Sequence, residues 1–354
     1  MIMKNFKRQS AVLCLTLFFL SLMTGVGLAA EQINLRFPVL YNPNALAGRL
    51  YLQPLDVHDD VVVKGWSFSF ELGSAVDYNV YFKESEGDDE LTVNYNTYSF
   101  ALSKDISLAS RDIELGAVLR IHQDKKSTLL SSLVRNFHDA FPSDGFGEVP
   151  PEDQYFGEIG DNNTEIIADS GNVFLSTLQL SGKYQLLEDA GLGTYQPNLT
   201  LKLSTRIPLS GKDFDTFGVA LSAGLSKEVF NQFFLIGSGG VAYQDLEQSD
   251  FNATNLNVDD IAIDCFVGSI WDFGEKENWY AQLGTRWSSE RISYSENPDS
   301  AESGWIILFG LNYRTLLNNG DLVGFYFNCS EDLPGLGHGL ESDFGVYSGF
   351  TYHL

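Results

Sequence analysis

Residues 279–287 read Trp-Tyr-Ala-Gln-Leu-Gly-Thr-Arg-Trp, and this alternation decides the fold class. Successive side chains of a β-strand point to opposite faces, so Trp279 and Leu283 share one face while Gln282 and Arg286 share the other. An apolar face backed by a polar or small face over about ten residues is typical of a strand that crosses a membrane as part of a β-barrel. We therefore expect an all-β protein whose strands have lipid on one side and a lumen on the other.

The same period-two pattern recurs along the chain and predicts about twelve strands, an even number as expected for a bacterial barrel. The alternative is a soluble β-sandwich, which accounts less well for the strand length and for the aromatic residues at strand ends. The predicted fold is therefore a transmembrane antiparallel up-and-down β-barrel. The predicted strands are 62–74, 90–104, 111–123, 172–187, 198–209, 215–227, 232–244, 260–274, 278–289, 303–316, 321–332 and 342–354.

The lengths of the connections support this strand count. If the first strand starts in the periplasm, the connections expected on the outside are long, the exception being 210–214. The connections expected on the inside are short, for example 228–231 and 317–320. Long extracellular loops and short periplasmic turns are the usual asymmetry of outer-membrane barrels. The predicted outward connections are 75–89, 124–171, 210–214, 245–259, 290–302 and 333–341.

The composition excludes several other classes of protein. The 354 residues include 22 basic and 47 acidic side chains, a formal net charge of −25, which argues against binding nucleic acid through its phosphates. Only 19% of the residues are charged and 44% are hydrophobic, so the chain does not have the composition of a disordered protein. After residue 30, no segment approaches the 18 or more consecutive apolar residues of a transmembrane helix.

Residues 1–30 have the layout of a secretory signal peptide. Lys4, Lys7 and Arg8 precede an apolar run from Ala11 to Met23, and small residues follow up to Ala30. Cleavage near Ala30 would remove three basic residues and no acidic one, changing the formal charge from −25 to −28. We expect the mature protein to be exported to the outer membrane.

The last predicted strand carries alternating large side chains up to the C-terminus: Phe344, Val346, Ser348, Phe350, Tyr352 and Leu354. In this pattern the chain resembles Gram-negative outer-membrane β-barrel proteins, although Leu354 stands where that class prefers phenylalanine. The resemblance implies that the barrel-assembly machinery reads this strand. It also implies that outer-membrane lipid and lipopolysaccharide are partners of the protein.

Two shorter resemblances concern segments outside the predicted strands. Residues 133–141 are similar to a segment of an uncharacterised outer-membrane family, which implies no activity. The run 42–45, Asn-Pro-Asn-Ala, is similar to the Asn-Pro-Ala motif in the N-terminal hatch of long-chain fatty-acid transporters, which plugs the lumen. We therefore expect residues 31–60 to be either a periplasmic segment or a plug ahead of the barrel at 61–354.

The long connection 124–171 contains a helical pattern. Leu129, Leu133, Phe137 and Phe141 recur at four-residue spacing, which predicts an amphipathic helix that packs on the barrel rim or covers the lumen as a lid. The connection is also acidic. Its carboxylates are either solvated or bind divalent cations that bridge lipopolysaccharide.

The candidate site residues are charged or polar side chains on the predicted lumen face. They can form an internal salt-bridge network that fills a narrow barrel. Alternatively, they form a basic constriction that selects an anionic solute. About twelve strands leave room for a narrow passage or a ligand site. The candidates are Arg120, His122, Lys202, Arg206, Arg286, Arg314 and Glu114.

Three functions follow from these observations. The first is a channel or transporter for a small anionic or amphipathic molecule, and the second is a closed structural or surface-interaction barrel. The third is a hydrolase at the rim that uses His338 with Glu341 and Asp343. We expect no enzyme, because no histidine is followed two residues later by the serine that outer-membrane phospholipases use. We expect no cofactor and no metal site, since Cys and His lack ligand spacing, and no bond between Cys265 and Cys329.

Overall fold

A computed structural model describes the strands of the barrel and some of the turns that join them. Among the described residues, no helix is long and apolar enough to cross a membrane. The predicted helix at 129–141 and most of the 31–60 segment lie outside these residues. The described residues are 52, 62, 64–82, 88–108, 111–124, 156–159, 164–165, 173–209, 217–244, 256–273, 279–289, 292–294, 304–318, 321–332 and 344–354.

Twelve long antiparallel strands form a closed barrel within this part of the chain. Each strand pairs with the next along the chain, and the first strand also pairs with the last, from Ser67 opposite His353 to Val76 opposite Phe344. The sheet therefore has no open edge along this seam. The strands are β1 Trp66–Phe82, β2 Asp88–Leu108, β3 Arg111–Asp124, β4 Val173–Leu187, β5 Asn198–Pro208, β6 Gly218–Phe230, β7 Phe233–Gln244, β8 Ile261–Phe273, β9 Trp279–Ser288, β10 Gly304–Leu316, β11 Leu322–Asp332 and β12 Phe344–His353.

The strand number and the up-and-down order agree with the sequence prediction, and the clearest difference concerns the first hairpin. The first hairpin was predicted to leave the sheet at 75–89, but β1 and β2 stay paired up to Phe82 opposite Asp88. Polar residues such as Asp77 and Asn79 gave this stretch the composition of a loop. Backbone pairing in a hairpin continues through polar residues, because the ladder hydrogen bonds do not depend on the side chains.

The two ends of the barrel differ in their connections. At the end that holds the start of β1, consecutive strands are joined closely, for example by Asn231 and Gln232 between β6 and β7. At the opposite end, 125–172 separates β3 from β4, and short paired strands Leu256–Val258 and Ile292–Tyr294 lie within the connections flanking β8 and β9. We call these the short-turn end and the long-loop end.

The outer face of the barrel is apolar and exposed. Many of the outward-facing residues of the strands are large hydrophobic side chains open to the surroundings, with Leu203 at 62% and Leu283 at 58% exposure as examples. Aromatic rings pair at the short-turn end, where the rings of Trp279 and Tyr313 are 4.9 Å apart. An exposed apolar band flanked by aromatic residues is the surface that a barrel presents to lipid. Unlike these exposed side chains, Trp287, which pairs in register with Trp305, is buried.

Candidate functional site inside the barrel

The inner face of the barrel carries polar and charged side chains that are almost completely buried. On β5, for example, the burial pattern alternates strictly, with Thr200, Lys202, Ser204 and Arg206 inside. Leu203, between them, is exposed on the outer face. Because buried charges require compensating partners, the arrangement of charge on this inner face determines what it can hold.

The inner charges are not evenly distributed around the barrel. Four buried basic side chains lie on the three neighbouring strands β3, β4 and β5, and Glu114 is the buried acidic side chain described on the same strands. On the inner faces of the other strands, buried acidic residues outnumber buried basic ones, with Glu71, Asp264 and Asp272 against Arg286 and Arg314. We call the group on β3–β5 the basic strip: Arg120, Lys183, Lys202 and Arg206.

Part of the basic strip has short-range partners on the wall itself. Lys183 Nζ lies 3.0 Å from Glu114 Oε2, directly across the β3–β4 pair. Arg120 Nη1 donates to the neutral Gln179 Oε1 at 2.5 Å. An amide satisfies a hydrogen-bonding group of the guanidinium without neutralising its charge. Lys183 thus forms an ion pair with a carboxylate of the described wall.

The opposite side of the barrel contains two ion pairs of a different kind. Arg286 Nη2 and Asp264 Oδ2 are 2.6 Å apart, and both side chains have 0% exposure. Arg314 Nη2 lies 3.3 Å from Asp272 Oδ2, and its guanidinium packs 4.8 Å from the ring centre of Tyr280. Both arginines are paired with buried acids and so help to hold the wall together: Asp264 lies on the strand next to that of Arg286, whereas Asp272 lies one strand further from Arg314, on β8.

The same side of the barrel also has an apolar inner surface, which sequence reasoning missed. Phe266 and Leu308 are 2% and 0% exposed, although both lie at inward positions. They belong to a buried cluster that spans several strands from β7 to β12 and faces inward, as the polar residues of the strip do. We call this cluster the apolar wall: Ile236, Phe266, Ile270, Tyr280, Ile306, Leu308 and Tyr347.

Glycines allow the large rings of the apolar wall to lie flat. Gly268 and Gly284 face each other across β8 and β9, and the ring of Phe266 covers both. A Cβ atom at Gly284 would lie 2.6 Å from Phe266 Cε2, closer than such atoms approach in real structures. The two glycines therefore let the ring pack against the backbone, and the ring takes up less of the lumen than it would if it pointed at the barrel axis.

A second close approach connects β11 with β1 across β12. Tyr326 Oη donates to Glu71 Oε2 at 3.0 Å, although their strands are not neighbours. Gly349 lies between them, and a Cβ atom there would come within 2.4 Å of Tyr326 Oη. The phenol thus crosses the intervening strand at a glycine and supplies a hydrogen bond to a buried carboxylate.

The predicted site residues form several separate groups. All seven are buried on the inner face, including His122, whose Nδ1 is 3.0 Å from Thr97 Oγ1. Arg120, Lys202 and Arg206 belong to the strip with Glu114 beside them, whereas Arg286 and Arg314 lie in ion pairs on other strands. The lid residues Leu129, Leu133, Phe137 and Phe141, and the rim group at His338, lie outside the described residues.

The described residues offer no obvious site for a metal or for cysteine chemistry. No group of three or more His, Cys, Asp or Glu side chains suitable for a metal ion occurs among them. Cys265 and Cys329 are free, on the non-adjacent strands β8 and β11. The prediction that they do not pair agrees with this placement.

Comparison with known proteins identifies the fold. No protein-family model and no curated protein matches the chain. An outer membrane channel from Pseudomonas putida F1 aligns with 86% of this chain and 100% of its own, at 12% identity and a TM-score of 0.54. The fold is that of an outer-membrane β-barrel. The β domain of the Bordetella autotransporter BrkA aligns with 82% of this chain and 100% of its own, at 12% identity and a TM-score of 0.43.

Proposed function

We propose that the protein is an outer-membrane channel or transporter for a small molecule that is anionic at one end and apolar at the other. The observation that carries the proposal is the division of the inner face. The basic strip occupies β3–β5, while the apolar wall occupies strands from β7 to β12. A solute between them meets cations on one side and hydrocarbon on the other.

The outer surface supports the membrane location. Exposed leucine, valine and phenylalanine side chains cover the strands, and ring pairs such as Trp271 with Phe273 lie at the short-turn end. Short turns are periplasmic in barrels of this class, which assigns the long-loop end to the cell exterior. The signal peptide proposed at 1–30 and the C-terminal strand would serve export and assembly. Lipid, lipopolysaccharide and the barrel-assembly machinery are the partners that this location implies.

Electrostatics favours an anion at the strip. Four buried cations on three adjacent strands face one buried carboxylate of the same strands. Rings or rows of Arg and Lys side chains are how anion-selective pores recognise their solutes. The fold likeness to an outer membrane channel is consistent with this use of the lumen.

The apolar wall favours a solute with a compact hydrocarbon or aromatic body. Rings that lie flat over glycine, as Phe266 does over Gly284, present a face against which such a body can stack. Fully hydrated inorganic anions gain nothing from that surface. We therefore expect small amphipathic carboxylates to be preferred over chloride or acetate.

Uptake into liposomes containing the purified protein tests the proposal. Benzoate should enter faster than acetate, its smaller anionic analogue. After subtraction of the rate in protein-free liposomes, the uptake rate of benzoate should also exceed that of benzyl alcohol. The double variant Lys202→Gln/Arg206→Gln should lose the preference for benzoate. A matched control is Lys104→Gln, because Lys104 lies 5.5 Å from the ring of Trp66 at the short-turn end and outside the strip. Equal uptake of the three probes, or none above empty liposomes, would contradict the proposal.

A closed structural barrel is the second candidate. It is favoured by the ion pairs that lock β3 to β4, β8 to β9 and β8 to β10. In that case Lys202→Gln/Arg206→Gln would change the stability of the protein and leave the permeability of the liposomes unchanged. The uptake experiment and an unfolding measurement on the same variants thus separate the two functions.

A further inference from the structure

A small cavity lies beside the apolar wall at the short-turn end of the barrel. It is enclosed by β9, β10, β11 and β12, close to the ends of these strands that the short turns join. Its volume of about 20 Å³ has room for one group of the size of a water molecule or a hydroxyl. The residues that line it include Tyr280, Asn312, Arg314, Gly324, Tyr326 and Thr351.

Asn312 contributes to this cavity an amide group that its neighbours do not satisfy. The residue is 3% exposed, and neither Oδ1 nor Nδ2 has a hydrogen-bond partner within the described part of the chain. In register, Asn312 lies between Tyr280 on β9 and Tyr326 on β11, but the Tyr326 hydroxyl donates to Glu71. A buried amide without partners costs free energy, so a group that forms hydrogen bonds with it should bind favourably.

The amide determines which chemical group fits. Oδ1 accepts a hydrogen bond and Nδ2 donates one, so the best partner both donates and accepts. A carboxylate only accepts and an ammonium only donates, and each would leave one of the two atoms of Asn312 unsatisfied. Arg314 does not change this preference, because its charge is paired with that of Asp272. A hydroxyl group both donates and accepts, and it also has the size that the cavity can hold.

Tyr280 connects the cavity with the apolar wall, because it belongs to the wall and also lines the cavity. A solute body that lies against the wall at this ring therefore places a substituent at the cavity. Gly324 helps to leave space for that substituent. A Cβ atom at this position would lie 2.7 Å from Thr351 Oγ1, on the lining of the cavity.

We propose that this cavity binds a hydroxyl group of the solute and that Asn312 forms the hydrogen bonds that recognise it. The inference rests on the proposed function and narrows its substrate class: the preferred solutes are amphipathic carboxylates with a hydroxyl group on the apolar body. The carboxylate faces the basic strip, the body packs on the apolar wall, and the hydroxyl enters the cavity. Asn312 is thus a specificity-determining residue.

Equilibrium dialysis of the purified full-length protein in detergent micelles, with protein-free micelles as the blank, tests the proposal. The probes are para-hydroxybenzoate and para-methylbenzoate, which have the same charge and nearly the same shape. The parent protein should bind the hydroxyl compound about tenfold more tightly, because the methyl compound leaves the amide unsatisfied. Asn312→Leu should remove this difference. Equal affinities in the parent protein, as expected if the cavity held only water, would overturn the proposal.

Asn328→Leu is the matched control. Asn328 is 0% exposed on the neighbouring strand β11, and its amide atoms also lack partners among the described residues, but it does not line the cavity. This variant should keep the preference for the hydroxyl compound, and an equal loss in both asparagine variants would overturn the role of Asn312. Heat-modifiable migration on gels shows whether each variant is folded.

Gly324→Ala provides a second test that leaves Asn312 in place, and it decides the matter if Asn312→Leu does not fold. Its methyl group narrows the cavity beside Thr351, so the preference for para-hydroxybenzoate should weaken. A preference as strong as in the parent protein would show that the hydroxyl group binds elsewhere.

Liposome uptake of benzoate and acetate distinguishes a failure of this inference from a failure of the proposed function. If the two para-substituted compounds bind equally while benzoate still enters faster than acetate, the hydroxyl site is wrong and the proposed transport stands. If para-hydroxybenzoate binds preferentially but no probe enters above the rate of protein-free liposomes, the site stands and the proposed transport is wrong.

Discussion

The Arg286→Ala variant should unfold at a much lower denaturant concentration than the parent protein. The guanidinium lies 2.6 Å from Asp264, and neither side chain is exposed. Removing one partner of a buried ion pair costs about 3–5 kcal/mol, because the other charge stays buried without its partner. A loss of about 4 kcal/mol lowers the ratio of folded to unfolded protein roughly a thousandfold.

The double variant Arg286→Met/Asp264→Leu provides the decisive comparison. With both charges replaced by apolar groups of similar size, stability should return to within about 1 kcal/mol of the parent protein. Lys64→Met is the matched control, since Lys64 lies 3.6 Å from Asp112 with its side chain 70% exposed. An exposed pair of that kind is expected to contribute less than about 1 kcal/mol.

Urea unfolding in detergent micelles, followed by tryptophan fluorescence, gives these free energies. Loss of the heat-modifiable migration of the folded barrel on gels provides an independent check of the folded state. If Arg286→Ala lowers the free energy of unfolding by no more than Lys64→Met does, the reasoning fails. It also fails if the double variant is as unstable as Arg286→Ala, because Asp264 would then not be the group left uncompensated.

Two further substitutions test the close approaches at glycine. Gly284→Val should cost about 1–3 kcal/mol in the same unfolding assay, since the added side chain displaces the ring of Phe266, and Phe266→Ala in the same protein should relieve part of that cost. Tyr326→Phe should cost about 1–3 kcal/mol by removing the hydrogen bond to the buried carboxylate of Glu71, and an unchanged unfolding midpoint would contradict this role.

Period-two patterning was sufficient to predict the barrel. Strand β3 was predicted at 111–123 and lies at Arg111–Asp124, because a strand between lipid and lumen must alternate strictly. The same rule failed for the far part of β1, predicted to end at 74 and extending to Phe82. Residues beyond the apolar band do not contact lipid, so their sequence need not alternate, and the strand continues there through backbone pairing alone.

The inward direction of the candidate charges was predictable, and their partners were not. Arg206 and Arg286 share the same pattern in the sequence, which does not reveal that Arg286 lies 2.6 Å from Asp264 on a neighbouring strand. Which residues face each other depends on strand register, and a single strand pattern does not specify that register. The ion pair of Arg286 supports a structural role for that residue, whereas a solute-binding role is proposed for Arg206.

The apolar wall was not predicted from the sequence, for a related reason. Leu308 and Phe266 occupy inward positions, where a simple alternation predicts polar or small residues. The available signal was the pairing of such residues with glycines on the same face, as with Gly268 and Gly284 around Phe266. The burial of Leu52 and Val62 ahead of the first strand could not be predicted, since two isolated buried residues have no periodicity.

The reversal potential under a potassium chloride gradient tests the central claim most directly. If the basic strip selects anions in the lumen, Lys202→Gln/Arg206→Gln should shift the reversal potential toward cation selectivity relative to the parent protein. Lys104→Gln, outside the strip, should leave it unchanged. A reversal potential that is the same in the strip variant and the parent would show that the strip does not face the permeating ions, and would contradict the account.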